Sequence, residues 1–415
     1  MTARILSPRP AERKRIFRCG KGPVCGRIRA AMRPTESSEG LAALRAGIDR
    51  CDEELVALLR RRMEISSRVA ASKAGTGKPV RDPEREAAVV ARVRALAGAD
   101  IAAAAESLVT TLMRTSRERQ YDILLAKDAA ALRAETGLPE HADGSLADVR
   151  RAAFAGDAGS WSAAAARKLF PDAEPVAAPG FAAACDLVSE GRADAAVLPL
   201  ANTTGGPVDT VYRLLERNLR IVRSADLAVR HCLAAVPGAA LADVRTVSSH
   251  PQALAQCSRA IREAGWKAEP AENTAFAAAE AARRGDPSFA AVCSPAAARE
   301  HGLAVLREDL CDTGVNATRF VAVSRELTVT PDASRLSLLL RLPDRPGALA
   351  AVLDLFVDRS LNLASIYSQP VPERPWEYAF FLDVDAPALA PAALAAVCQL
   401  ALELPFVRVL GWYGG

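Results

Sequence analysis

The period of the apolar residues changes once along this chain, and that change limits the folds open to it. Between about Glu39 and Lys73, Leu41, Leu44, Ile48, Leu55, Leu59, Met63 and Val69 recur at spacings of three, four and their sums, one face of a helix. Gly75, Gly77 and Pro79 end the pattern. A second helical stretch opens at Pro83, a favourable first-turn residue, and runs to about Leu96. Gly98 and Asp100 interrupt, and a third stretch runs from about Ile101 to Leu132. Residues 39–132 carry no strand signal and read as an all-α, three-helix domain. Gly137, Pro139 and Gly144 mark a linker over 133–149. From residue 150 short apolar runs take over: Ala152–Ala155, Ala195–Leu200, Val244–Val247, Ala290–Cys293 and Phe320–Val323. Alanine-rich helical stretches lie between most of them, the alternation of α/β units over 150–325. After a polar stretch, residues 335–413 read strand (Leu336–Leu342), helix (Gly347–Val357), strand (Leu361–Ser368), strand (Glu377–Val384), helix (Pro391–Leu402), strand (Val407–Trp412). That order is an α+β, ferredoxin-like βαββαβ module.

Composition excludes several classes. The net charge is +4 over 415 residues, too small to call for nucleic acid. No apolar run reaches the roughly 18 residues of a membrane span. Cys19, Cys25, Cys51, Cys185, Cys232, Cys257, Cys293, Cys311 and Cys398 are dispersed and odd in number, which reads as reduced thiols in a cytoplasmic protein rather than a disulfide framework. The histidines do not sit at metal-ligand spacing with them, so neither metal nor cofactor is expected. Residues 1–31 hold nine Lys/Arg against one acid and show no helical or strand period. The segment 1–38 reads as a basic, disordered extension, with Met32 as an alternative start. A targeting peptide and a basic nucleic-acid tail are the other readings of the same composition.

The charged residues of the helical domain form a pattern. Arg62 and Lys73 are eleven residues apart, which at about 100° per residue puts them within about 20° of each other. Arg45, seventeen residues before Arg62, points about 100° away. A solvated basic edge is the ordinary reading of such a stripe. Against it stands V-R-D-P-E-R-E, which sets Asp82, Arg85 and Glu86 at a helix start, and the i, i+4 pair Ser116 and Gln120 on the third helix. The string L-R-x-x-I-x-x-x-D-x-x-L-x-x-L-L-x-x-R, then Lys73, then P-V-R-D-P-E-R-E, resembles the all-helical chorismate mutase domain of the bifunctional chorismate mutase/prephenate dehydratases, over residues 40–125. The resemblance implies catalytic roles for Arg45, Arg62, Lys73, Asp82, Arg85, Glu86, Ser116 and Gln120, and an intertwined homodimer. A pericyclic rearrangement needs no nucleophile or proton transfer. The protein has to hold a compact conformer of a dicarboxylate and stabilise charge on the breaking ether oxygen. By resemblance, Arg62 and the partner's Arg45 clamp the carboxylates and Lys73 and Gln120 donate to the ether oxygen. Glu86 and the Asp82 region hold the ring hydroxyl, and Ser116 and Arg85 support the carboxylate end.

Residues 150–325 resemble a prephenate dehydratase domain, two α/β lobes around a cleft. The resemblance rests on G-D-A-G-S-W-S at 156–162, L-A-N-T-T-G-G at 200–206, S-H-P-Q at 249–252 and N-A-T-R-F at 316–320. It implies Thr318 as catalytic donor, with Asn202, Thr203, Ser249, Gln252, Arg319 and Phe320 as substrate-binding residues. Two departures stand out: Ala201 occupies the place of the family's usual Glu, and Asp157 that of its usual Pro. Decarboxylative dehydration of prephenate to phenylpyruvate is the favoured reading. A diverged prephenate decarboxylase and a catalytically silent, ligand-sensing lobe are the alternatives. Restoring a carboxylate at 201 is expected to set it beside Asn202 and raise the dehydration rate.

Residues 335–413 resemble an ACT regulatory domain, through D-R-P-G-A-L at 344–349, Asn362-Leu363 and P-W-E-Y-A-F-F at 375–381. The resemblance implies an L-phenylalanine site formed by Gly347, Ala348, Leu349, Asn362, Leu363 and Ser368. The family's E-S-R-P motif is Y-S-Q-P here, at Tyr367–Pro370, without either charge. An ACT fold kept for dimerisation alone is the alternative.

Overall fold

The computed structural model describes residues 40–74, 76, 78–371, 374 and 377–415. The extension over 1–38 lies outside them, with Cys19 and Cys25, as do Gly75, Gly77, Pro375 and Trp376. The chain divides into two compact units, Met1–Glu64 and Ile65–Gly415, and the division falls within the first helix.

That helix, α1, is Leu41–Lys73. Only Ser66 and Ala70 are buried along it, and Leu41, Ile48 and Leu58 are each more than 60% exposed. Its apolar stripe is thus a real helical face left exposed among the described residues. The two further helices expected between Pro83 and Leu132 are present as α2 (Pro83–Lys127), two helical segments joined across a kink, the first capped by Asp82, whose carboxylate accepts from the Arg85 N–H at 3.0 Å. The break expected at Gly98 is there: Gly98, at φ 73° and ψ 175°, is non-helical and separates the two segments. Positive φ comes at little cost only for glycine, so one residue suffices and no loop follows. Helix α2 stops at Lys127, and α3 (Ala129–Thr136) occupies ground expected as third helix and linker.

The α/β region begins with β1 (Arg151–Ala155), α4 (Trp161–Leu169), β2 (Glu174–Ala178), α5 (Phe181–Ser189), β3 (Ala195–Asn202), β4 (Gly206–Pro207), α6 (Asp209–Leu215) and β5 (Arg220–Ala228). The chain then enters a second lobe: β6 (Cys232–Ala235), β7 (Thr246–Ser249), α7 (Pro251–Gln256), α8 (Ser258–Ala264), β8 (Lys267–Pro270), α9 (Thr274–Arg284), β9 (Phe289–Cys293), α10 (Pro295–Glu300) and β10 (Ala304–Arg307). It returns to the first lobe as β11 (Ala317–Ser324). The last module is β12 (Arg335–Arg341), α11 (Ala348–Asp358), β13 (Asn362–Pro370), β14 (Tyr378–Asp385), α12 (Pro391–Glu403) and β15 (Phe406–Gly414).

Two sheets result. The second lobe has five strands in the order β10-β6-β9-β7-β8. The other sheet has ten, in the order β13-β14-β12-β15-β5-β11-β3-β1-β2, with β4 beside β3. In the first lobe the central strands β1, β3 and β11 are buried on both faces. Phe154, Val197 and Phe320 turn toward α4, whereas Ala153, Leu198 and Val321 turn toward α5 and α6. That explains the short, unbroken apolar runs. The C-terminal module has the βαββαβ order and continues this sheet through parallel pairing of β15 with β5, Gly411 opposite Ile221. A side chain on Gly411 would overlap the Ile221 carbonyl, so the strands approach closely only because it is glycine. In β12, Leu338 and Leu340 pack with Val352, Leu355 and Val397 of α11 and α12, whereas Leu339 packs with Tyr212 and Leu215 of α6.

Candidate functional site

The lobes of the α/β region meet at a hydrogen-bonded cluster. Thr318 and Asn202 are opposite each other on β11 and β3, and Asn202 Nδ2 donates to Thr318 Oγ1 at 2.9 Å. The hydroxyl therefore acts as acceptor there and keeps its own hydrogen for another partner. Asn202 Nδ2 also donates to Asn316 Oδ1 at 2.9 Å, and Asn202 Oδ1 accepts from the N–H groups of Thr204 and Gly205, each at 2.9 Å. From the second lobe, Gln256 Nε2 donates to Thr204 Oγ1 at 2.7 Å, and Asn316 Nδ2 donates to Gln256 Oε1 at 3.1 Å. His231 Nε2 lies 3.1 Å from Gln256 Oε1; its burial lowers the imidazole pKa. Gln256, Asn316 and His231 were not singled out in the sequence. Asn316 stands in the N-A-T-R-F string, and Gln256 lies four residues after Gln252 on α7, so helical spacing from a chosen residue was the available signal.

The other substrate-binding expectations divide. Thr203 is exposed and sits at the strand end, where Oγ1 accepts the Ala317 N–H at 3.0 Å. Gln252, also exposed, reaches the T-T-G-G loop: a side chain on Gly205 would overlap its amide. Ser249 lies away from the cluster's surface. It is fully buried and its hydroxyl donates to the Val292 carbonyl at 2.6 Å, so it braces β7 against β9. Phe320 is 2% exposed and part of the apolar core under α4. Arg319, next to Thr318 on an alternating strand, points to the opposite face. There it makes a bidentate pair with Asp226 of β5 at 2.8 and 2.9 Å. Ala201 is the cross-strand neighbour of Arg319, not a wall beside Asn202. Asp157 is exposed in the loop before α4. That loop meets the second lobe through Gly159, whose carbonyl accepts from Ser294 Oγ at 2.7 Å.

In the helical region, Lys73 Nζ donates to the carbonyls of Pro79 and Val80 at 2.7 and 2.9 Å and folds the loop back onto the end of α1. Lys73 and Asp82 line one open cavity of about 430 Å³ with Lys78, Pro79, Arg81, Pro83 and Glu84. Ser116 and Gln120 are both buried on α2. Gln120 Nε2 donates to the Ser116 carbonyl at 3.2 Å, and Gln120 Oε1 is buried without a hydrogen-bond partner among the described residues. Glu86 is half-buried and ion-paired with Arg117, whereas Arg85 is exposed. Arg62 is half-buried, and burial lowers its pKa; Arg45 is exposed on the first turns of α1.

In the C-terminal module, Gly347 has φ 80° and caps α11, followed by buried Ala348 and half-buried Leu349. Asn362 Nδ2 donates to Asp385 at 2.6 Å, Leu363 packs on the module's core, and Ser368 is exposed on β13. The divergent Y-S-Q-P motif docks on the first lobe. Tyr367 Oη donates to Asp209 Oδ1 at 2.7 Å and Gln369 Nε2 to the Asp209 carbonyl at 3.0 Å. Among the described residues no group of His, Cys, Asp and Glu is arranged to hold a metal ion, and no helix is long and apolar enough to cross a membrane.

Comparison with known proteins assigns these regions. The chorismate mutase type II model matches residues 44–121, the prephenate dehydratase model 152–328 and the ACT domain model 336–402. The chain is 32% identical over 385 residues to the bifunctional chorismate mutase/prephenate dehydratase of Escherichia coli (strain K12), covering 91% of this chain and 97% of that one. It is 38% identical over 276 residues to the chloroplastic arogenate dehydratase/prephenate dehydratase 2 of Arabidopsis thaliana, 63% of this chain and 72% of the relative. Among solved structures, prephenate dehydratase from Arthrobacter aurescens in complex with L-Phe superposes with a TM-score of 0.59 at 33% identity, covering 64% of this chain and 90% of that one. With all three modules in order and a similar chain of the same architecture along nearly its whole length, the protein belongs to the bifunctional chorismate mutase/prephenate dehydratase family.

Proposed function

We propose that this chain converts chorismate to prephenate in its helical domain and prephenate to phenylpyruvate in its two-lobed domain, the two steps serving phenylalanine biosynthesis. The carrying observation is the cross-lobe cluster in which Asn202 donates to Thr318 and leaves its hydroxyl hydrogen available. Dehydration expels a ring hydroxyl as the carboxylate leaves as carbon dioxide. A donor aimed at that oxygen stabilises the charge developing on it. Thr318 is that donor, and Asn202, Thr203 and Gln252, joined by Gln256, position the substrate. In the helical domain Arg62 and the partner's Arg45 clamp the two carboxylates, a task suited to bidentate guanidinium groups. Lys73 and Gln120 serve the ether oxygen, Glu86 and Asp82 the ring hydroxyl, and Ser116 and Arg85 the carboxylate end.

The working unit is a homodimer. The uncovered leucines and isoleucines of α1 form a face that a second copy would bury, and the direction of Arg45 suits service in the partner's site. L-phenylalanine is the effector of the C-terminal module, at Gly347, Ala348, Leu349, Asn362, Leu363 and Ser368, and the protein works in the cytoplasm.

The test supplies chorismate to purified protein and follows chorismate, prephenate and phenylpyruvate over time. Both conversions are expected without added metal or nucleotide. Arg62→Ala or Lys73→Ala is expected to stop the first step and spare dehydration of supplied prephenate. Chorismate that persists with folded protein sinks the mutase assignment. Prephenate that accumulates, or loses carbon dioxide without aromatising, sinks the dehydratase assignment.

A further inference from the structure

Arg117, which the sequence reading passed over, stands between the two modules that flank the dehydratase domain. Its Nη1 pairs with Glu86 Oε1 in the helical domain, and its Nε pairs at 3.0 Å with Glu403 Oε1, the last residue of α12 in the regulatory module. Arg81 Nη1 donates to the Glu403 carbonyl at 3.3 Å, and Gln399 Nε2 donates to Glu403 Oε1 at 3.2 Å. The side chains of Arg117 and Glu403 are 15% and 11% exposed. Charge-assisted bonds so removed from water are strong, and leaving one charge without its partner there is costly. The same residues line a cavity of about 50 Å³ that also takes in Arg345 and Ala348 of the D-R-P-G-A-L turn. It is too small for a metabolite, so the contact is a joint rather than a ligand site.

We propose that Arg117 is a positioning residue of the mutase step, and that Glu403 of the regulatory module sets the orientation of Glu86 through it. The inference rests on the reading of Glu86 as the group that holds the ring hydroxyl of chorismate. One guanidinium serves two carboxylates in fixed directions. If α12 shifts and Glu403 withdraws, Arg117 is left to Glu86 alone and draws that carboxylate toward itself, away from substrate. A single ammonium cannot span both partners, so lysine is no substitute.

The test uses the full chain and measures kcat and KM for chorismate alongside dehydration of supplied prephenate. Glu403→Gln keeps the shape of the side chain and removes its charge. It is expected to lower kcat/KM for chorismate roughly tenfold, the order of loss when a supporting partner of a working side chain is removed, with dehydration unchanged. Arg117→Ala should cost at least as much and Arg117→Lys should recover little of it. In an Arg117→Ala background, Glu403→Gln should cost almost nothing more, because both act through one linkage. A purely structural contact predicts otherwise: parallel loss of both activities and additive costs. Either of these overturns the proposal, as does a Glu403→Gln protein with wild-type mutase kinetics. Glu86→Gln separates the two levels. If that variant rearranges chorismate normally, the reading of Glu86 itself is wrong and the inference falls with it.

Discussion

Thr318 and Arg319 are neighbours in sequence and face opposite sides of one strand, so they answer to different partners. Thr318 has Asn202 to fix its hydroxyl. On the proposed role, Thr318→Val removes a donor used mainly in the transition state. It is expected to lower phenylpyruvate formation by about 10²–10³ and to leave the mutase rate unchanged; quantifying both products from chorismate and from prephenate checks it. Arg319 has its carboxylate from Asp226 on one flanking strand, while Ala201 lies opposite it on the other. The acid missing at 201 is therefore matched by an acid at 226, and the expectation that Ala201→Glu raises the rate reverses. A second carboxylate would compete for one guanidinium and repel Asp226. Ala201→Glu is expected to slow dehydration, and Ala201→Glu combined with Asp226→Ala to recover part of the loss. Costs that simply add across the two variants would refute this exchange.

At the level of elements, the decisive contact is the parallel pairing of β15 with β5, which makes the regulatory sheet and the first lobe one sheet. The pairing depends on Gly411, where any side chain meets the Ile221 backbone. Gly411→Ala is expected to destabilise the chain by about 1–3 kcal/mol, the usual cost of forcing atoms into a packed site. It should also expose the segment around residues 325–334 to proteolysis. Thermal melting and limited digestion measure the two effects, and a variant that melts and digests like wild type would show that the strands can part without cost. The kink at Gly98 is a contrasting case, because one non-helical glycine there separates two helical segments with no loop between them.

The whole molecule raises the question of subunits. The apolar face along α1, exposed among the described residues, calls for a partner, and the proposed shared site would draw residues from both copies. Mixing Arg45→Ala with Lys73→Ala proteins should restore roughly a quarter of wild-type mutase activity after exchange, since half the dimers of a two-fold assembly are then mixed, each with one intact site. No recovery despite exchange, followed by mass or fluorescence labelling, would mean that Arg45 serves its own subunit.

The sequence alone determined the order of modules and most of the chemistry-bearing strings. Helical period, apolar runs and turn residues are local properties, and the motifs around Arg62, Lys73, Asn202 and Thr318 are contiguous enough to read. Tertiary structure decided what no local pattern encodes. Ser249 and Phe320 look like site residues in their motifs, yet strand alternation and core packing turn them inward. Gln256, His231 and Asn316 lie far apart in the chain; packing of the second lobe brings His231 to Gln256, and Asn316 meets Gln256 where the two lobes come together. Arg117 looks like one more surface charge on a long helix until Glu86 and Glu403, 317 positions apart, are brought to its two sides. Facing direction along a strand follows from its register, and the pairing of distant charges follows from how modules pack, so neither is fixed before the chain is folded.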